Sequence, residues 1–268
     1  MANVIIIFIA VFIASIVAGI SGFGLGTTLM PVLAIFFSIP ASIVVTSAVH
    51  LTNDLLKLFL LGKFARSSVV IRFTVTAIIG AVIGAYLLKI TLMIPPLFTY
   101  SLFGSTHEVT VIRLIIGSSI FLFSLAHLFF FVRKKTRATK SIDQKYIPIG
   151  GVLSGFFGGL SGEQGMLRTF FLIRAGLEKK EFIATAAACS VSVDVARLIT
   201  YVITMEKEVF SEVGSLYGLG IILPVIIISL SGSYIATKLI GKITTRFLHI
   251  SIGVLLIVSA LALILGVI

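Results

Sequence analysis

GISGFGLGTTLMPVL (Gly19–Leu33) and GLSGEQGMLRTFFLI (Gly159–Ile173) are two versions of one segment, set 140 residues apart. The same offset joins Asp54-x-x-Lys57-Leu58 to Asp194-x-x-Arg197-Leu198. Each glycine cluster interrupts an apolar stretch, and each acid–base pair follows inside another apolar stretch. Glycine-broken helices and buried charges, both present twice, are the mark of a membrane architecture built from internal repeats.

Composition agrees with a membrane setting. The 268 residues are 58% hydrophobic and 12% charged, with a mean hydropathy of +1.20, whereas a soluble domain carries about 25% charged residues. Apolar runs recur along the length, each long enough to cross a hydrocarbon core of ~30 Å. We read one integral membrane domain over residues 1–268, with repeat one at 1–132, a cytoplasmic linker at 133–145 and repeat two at 146–268. Met1–Ile20 has no basic segment before its apolar run, the first basic residue being Lys57. It is therefore expected to be a membrane element and not a cleaved signal.

The net charge of +11 suggests a nucleic-acid partner until the charges are placed. Fifteen of the 21 basic residues fall in four short segments: Lys63–Arg72, Arg133–Lys145, Arg174–Lys180 and Lys238–Arg246. That is where the positive-inside rule expects them, so no nucleic-acid partner is expected and these loops are assigned to the cytoplasm. The alternating loops carry few basic residues, and one holds Glu206, Glu208 and Glu212. On this assignment the protein is multi-pass in the inner membrane, with both termini extracytoplasmic.

Spans are expected near 3–20, 27–39, 41–61, 69–89 and 112–132, then near 146–160, 165–173, 182–205, 216–237 and 248–267. The run ending near Lys63 descends to the cytoplasm, while its partner after Lys180 leaves it, so the two repeats are inverted. The fold class is all-α, with each repeat a glycine-broken, re-entrant helical hairpin plus three transmembrane helices. About nine residues from Gly165 to Arg174 span only ~14 Å as helix, half the core. This favours the hairpin in repeat two and leaves repeat one open between re-entrant and fully spanning.

Irregular backbone at membrane depth is tolerated only where protein or a wet cavity surrounds it. Helices that start at such breaks present free N–H groups and a positive dipole end, which suit an anion. The candidate binding groups are Ser21, Gly22, Gly24, Gly26 and Thr27 on one side. Ser161, Gly162, Gln164, Gly165 and Arg168 form the other. Arg168 lies within the apolar segment, and its planar fork matches the oxygens of a small anion. The alternative for Arg168 is structural pairing with Glu163. Gly151, Gly155 and Gly159 lie four apart on one face and suit close helix packing.

His50, Asp54 and Lys57 share one helix face, as do Ser190, Asp194 and Arg197. With Glu163, the residues His50, Asp54, Lys57, Asp194 and Arg197 are candidates for structural ion pairs or for carrying a coupling proton. The lone Cys189 excludes an internal disulfide. His107, His127 and His249 are scattered, and no metal or cofactor is expected.

The glycine-rich Gly19–Leu33 segment, ending in Pro31-Val-Leu33, resembles the first signature of the TauE/SafE family of sulfite and organosulfonate exporters. Gly159–Arg168 is similar to that family's second signature in an arginine-bearing form, and Gly84-Ala-Tyr86 and Gly232-Ser-Tyr234 match a small-small-aromatic element late in each repeat. Leu25 interrupts the first glycine run, and Phe171 stands where the second signature has proline. The resemblance implies a bacterial inner-membrane permease that moves small, often sulfur-containing anions outward.

The expected function is export of a small anion, such as sulfite or an organosulfonate, bound at the midplane between the two breaks. Its partners are the anion, the bilayer, protons as a candidate coupling ion, and a second copy in a homo-oligomer. Three alternatives stay open: a proton-linked cation transporter using Asp54, Glu163 and Asp194; a membrane enzyme with His50 and Glu163 as acid and base; and a subunit without flux of its own.

Overall fold

The computed structural model describes residues 2–21, 25–102, 104–132, 144–239 and 246–268. The helices of the first half are α1 (Ala2–Ser21), α2 (Leu25–Leu33), α3 (Ile39–Leu61), α4 (Ser67–Leu92) and α5 (Val111–Val132). Those of the second are α6 (Ile147–Ser161), α7 (Gly165–Ile173), α8 (Lys179–Thr204), α9 (Lys207–Gly214), α10 (Leu216–Leu239) and α11 (Arg246–Ile264). Four helical stretches among the described residues are long and apolar enough to cross a membrane: Ile39–Phe64, Ser67–Leu92, Lys179–Thr204 and Gly218–Leu239.

Burial runs opposite to that of a soluble protein. Ile71, Val75, Ile79 and Ile83 of α4 face outward, as do Leu223 and Ile227 of α10, while Ser47, Asn53, Asp194 and Arg197 are fully enclosed. Lipid solvates the first set; the second must find partners inside the bundle. This is an all-helical, multi-pass membrane protein with one small exception.

The exception is a hairpin of β1 (Phe98–Leu102) and β2 (Ser105–Val109) between α4 and α5, with Tyr100 opposite His107. Gly104, at φ +80°, supplies the turn. Tyr100 Oη donates to the Leu265 carbonyl at 2.6 Å, tying the hairpin to the end of α11. Neither strand was expected, and nor was α9.

Packing sets α3 against α8, α4 against α6, α10 against α1, and α5 against α11. Small residues let the α4 and α6 backbones touch: a Cβ on Gly84 would collide with the Phe156 carbonyl, and one on Gly155 with the Ala77 carbonyl. Gly151 and Gly159 meet Phe73 and Ala81 in the same way. On α10, a Cβ at Gly232 would sit 2.8 Å from Ser15 Cβ of α1.

Helix boundaries fall close to the expected ones, with one shift: the short run expected at 27–39 stops at Leu33 as α2, and Pro40 lies in the first turn of α3. There its missing N–H would be unpaired in any helix, and Ser38 Oγ accepts from Ala41 N at 3.4 Å. Glu178 and Glu181 form a reciprocal capping box that starts α8.

Candidate functional site

Gly162 ends α6 in the left-handed conformation, at φ +82°. Glu163 and Gln164 form the break, and α7 starts at Gly165. The α2 start comes to meet this turn. A Cβ on Gly26 would lie 2.9 Å from the Gly162 carbonyl oxygen and 3.7 Å from His50 Cδ2. Only glycine allows this approach, so the two glycine segments do come together, with Thr27 buried beside them.

The break is braced from α6 and α8. Ser154 Oγ donates to the Gln164 carbonyl at 2.8 Å, Arg197 NH1 to the Gly158 carbonyl at 2.8 Å, and Tyr201 Oη to the Gly159 carbonyl at 2.5 Å. The last two bonds occupy carbonyls at the C-terminal end of α6, and the first one a carbonyl of the break, as buried backbone acceptors require.

Below the breaks, α3 and α8 lay their charges against each other. Lys57 Nζ lies 2.7 Å from Asp54 Oδ1, and Arg197 NH2 lies 2.6 Å from Asp194 Oδ1. His50 Nδ1 links the pairs, 2.9 Å from Asp194 Oδ2 and 3.2 Å from Asp54 Oδ2. Gln164 Nε2 donates to Asp194 Oδ1 at 2.7 Å, joining this network to the break. The two ion pairs thus form one network across the halves, which spacing alone did not reveal.

Arg168 is buried one turn into α7 and donates to Ser190 Oγ of α8. The expected alternative, neutralisation by Glu163, is not what the geometry places there. Glu163 is 1% exposed, and neither of its carboxyl oxygens makes a hydrogen bond. Thr27 and Arg197 are the polar groups that act on it.

Of the other candidates, Ser161 turns its hydroxyl onto the Phe157 carbonyl of its own helix at 2.9 Å. Gly165 is buried at the start of α7. Ser21 ends α1, and Gly22 and Gly24 lie outside the described residues. Asn53 was overlooked. Its amide donates to Ser229 Oγ at 2.6 Å and accepts from Ser233 Oγ at 2.5 Å, a fully buried node between α3 and α10. The available signal was an amide within an apolar helix, matched by serines at i and i+4 on another.

His50 Nδ1 and one oxygen from each of Asp54 and Asp194 lie within 4.8 Å of one another, the spacing of a small-cation site. Lys57 and Arg197 already balance both carboxylates, which leaves little net negative charge there to hold a metal ion.

Helices that cross a bilayer, two short helices meeting at glycine breaks, and enclosed charges around them define a polytopic membrane protein with a polar site inside its bundle. A family model described as Sulfite exporter TauE/SafE matches residues 7–263, and the chain belongs to that family. It is a membrane transporter, not an enzyme. No curated protein and no solved structure matches the chain.

Proposed function

We propose that this protein exports a small anion, a sulfur oxyanion such as sulfite or an organosulfonate, bound at the midplane between the two glycine breaks. The observation that carries the reading is the meeting of Gly26 with the Gly162 carbonyl, with Arg168 one turn into the helix that follows the break. Gly22, Gly24, Gly26, Thr27 and Ser21 would line one side of the anion. Ser161, Gly162, Gln164, Gly165 and Arg168 would line the other. Helix N-termini and a guanidinium suit oxyanions.

His50, Asp54, Lys57, Glu163, Asp194 and Arg197 support that site or couple it to protons. The two halves, 1–132 and 146–268, would act as inverted repeats rocking about it. The packing supports this: α4 on α6 and α1 on α10 are equivalent pairs under exchange of halves, while α3 on α8 and α5 on α11 pair each element with its own counterpart. The loops sort by side in the same sense. Arg66 NH1 pairs with Glu181 Oε1 at 3.4 Å, joining two basic segments. Ser38 Oγ donates to Glu212 Oε2 at 2.6 Å, joining the turn before α3 to α9, neither of them in a basic segment. With the basic set in the cytoplasm, the protein lies in the inner membrane with both termini outside.

A proton-linked cation transporter is the second reading, favoured by the convergence of His50, Asp54 and Asp194. Flux in proteoliposomes separates the two. We expect selective movement of sulfite or an organosulfonate over chloride, with loss of transport in Arg168→Gln. Cation flux that survives Arg168→Gln and vanishes in Asp54→Asn would replace the anion reading.

A further inference from the structure

Basic side chains gather wherever membrane helices leave the bilayer, and several of them rest on an aromatic ring close in sequence. Lys145 lies over Tyr146, Arg174 over Phe170 and Lys238 over Tyr234. One ring holds two cations. Lys63 Nζ, in the turn that ends α3, lies 5.2 Å from the centre of the Phe64 ring, and Lys180 Nζ, at the start of α8, lies 5.4 Å from the same centre. The two segments are held together beside it, since Arg66 N donates to Thr185 Oγ1 of α8 at 2.9 Å.

The acids of this corner are already engaged. Glu181 Oε1 lies 3.4 Å from Arg66 NH1, and its Oε2 accepts from Glu178 N. Glu178 in turn caps α8. Among the described residues neither Lys63 nor Lys180 forms an ion pair. On these two loops Lys63, Arg66, Arg174, Lys179 and Lys180 stand against Glu178 and Glu181, five cations against two acids. An exposed cation–π contact holds an ammonium only weakly, and two like charges at one ring repel. The arrangement gains from an anion placed between them.

The surface below the two lysines shows which anion fits. Phe59, four positions before Lys63, is 87% exposed, the most exposed large apolar side chain among the described residues. Leu55, a further turn down α3, also faces outward. In a bilayer this stripe lies against acyl chains, directly under the paired cations. We propose that Lys63 and Lys180 hold the phosphate of an anionic phospholipid whose acyl chains run along Phe59 and Leu55. A zwitterionic lipid offers the same phosphate but brings its own cation, which the surplus positive charge repels. The bound phosphate bridges α3 of the first half to α8 of the second. This inference is independent of the substrate transported.

Native mass spectrometry of the purified full-length protein in detergent, titrated with phosphatidylglycerol or phosphatidylcholine, tests this. Wild type should retain phosphatidylglycerol in preference. A lysine beside an anionic headgroup contributes about fivefold in affinity, so Lys63→Gln with Lys180→Gln should weaken phosphatidylglycerol binding about 25-fold. Phosphatidylcholine binding should stay unchanged. Lys207→Gln, which removes an exposed charge from α9, should match wild type. Equal retention of both lipids by wild type would leave only an apolar surface and overturn the proposal. So would a double variant that loses no more affinity than Lys207→Gln. Binding of glycerol phosphate as tight as that of the intact lipid would make this a site for soluble anions and refute the lipid. Should the double variant not fold, Lys180→Gln alone must lose about fivefold, and salt must weaken the wild-type preference. Failure of either sinks the proposal.

Discussion

Arg168 and Asp194 are both buried charges, yet their removal should read out differently. Arg168 lies at the break, where a substrate oxygen would take its fork. Charge-assisted hydrogen bonds contribute about 1.5–3 kcal/mol, so Arg168→Gln should weaken sulfite affinity about ten- to a hundredfold. A competition assay on proteoliposomes measures it; wild-type affinity would remove Arg168 from the binding site. Asp194 is a structural node, touched by Arg197, His50 and Gln164. Asp194→Asn strands the Arg197 charge in the bundle and should cost about 3–5 kcal/mol, seen as a large drop in the thermal unfolding midpoint in detergent. The residue types themselves were legible, since charges in apolar runs announce themselves. Their partners were not. His50 reaches Asp194 across 144 positions, and no spacing rule connects residues on different helices.

At the scale of elements, the contact between α4 and α6 depends on missing side chains. Gly155→Val would push a branched side chain into the Ala77 carbonyl, and overpacking of this kind costs about 1–3 kcal/mol. Gly220 of α10 has nothing within 4 Å of an added Cβ. Gly220→Ala should instead be neutral, or stabilise by up to about 1 kcal/mol through helix propensity. Thermal unfolding of the two variants should move in opposite directions, or fall for Gly155→Val alone. Equal destabilisation would mean that the small-residue seam does not set this packing. The glycine spacing on α6 was visible beforehand. The matching stripe on α4 was identified only by its fit, because apolar helices show no amphipathic face to lipid.

For the whole molecule, the arrangement of loops predicts two classes of accessibility. Lys63, Lys179 and Lys207 are exposed, whereas the native Cys189 is enclosed and serves as a silent background. Lys63→Cys and Lys179→Cys should react with a membrane-impermeant thiol reagent only from the cytoplasmic side, and Lys207→Cys only from the opposite side. Labelling of all three from one side would break the inverted-repeat topology.

The sequence by itself determined the membrane setting, the helix order and the two glycine breaks. Hydropathy, glycine and charge act locally, and a hydrocarbon core of about 30 Å imposes its own length on every crossing helix. Only the tertiary structure decided what the enclosed polar groups do. It joined two separate ion pairs through His50, set Asn53 against two serines of α10, and left Glu163 without a donor. The physical reason is that lipid offers no hydrogen bonds. A buried polar group must be satisfied by whatever helix packs beside it, and which helix that is depends on the assembled bundle.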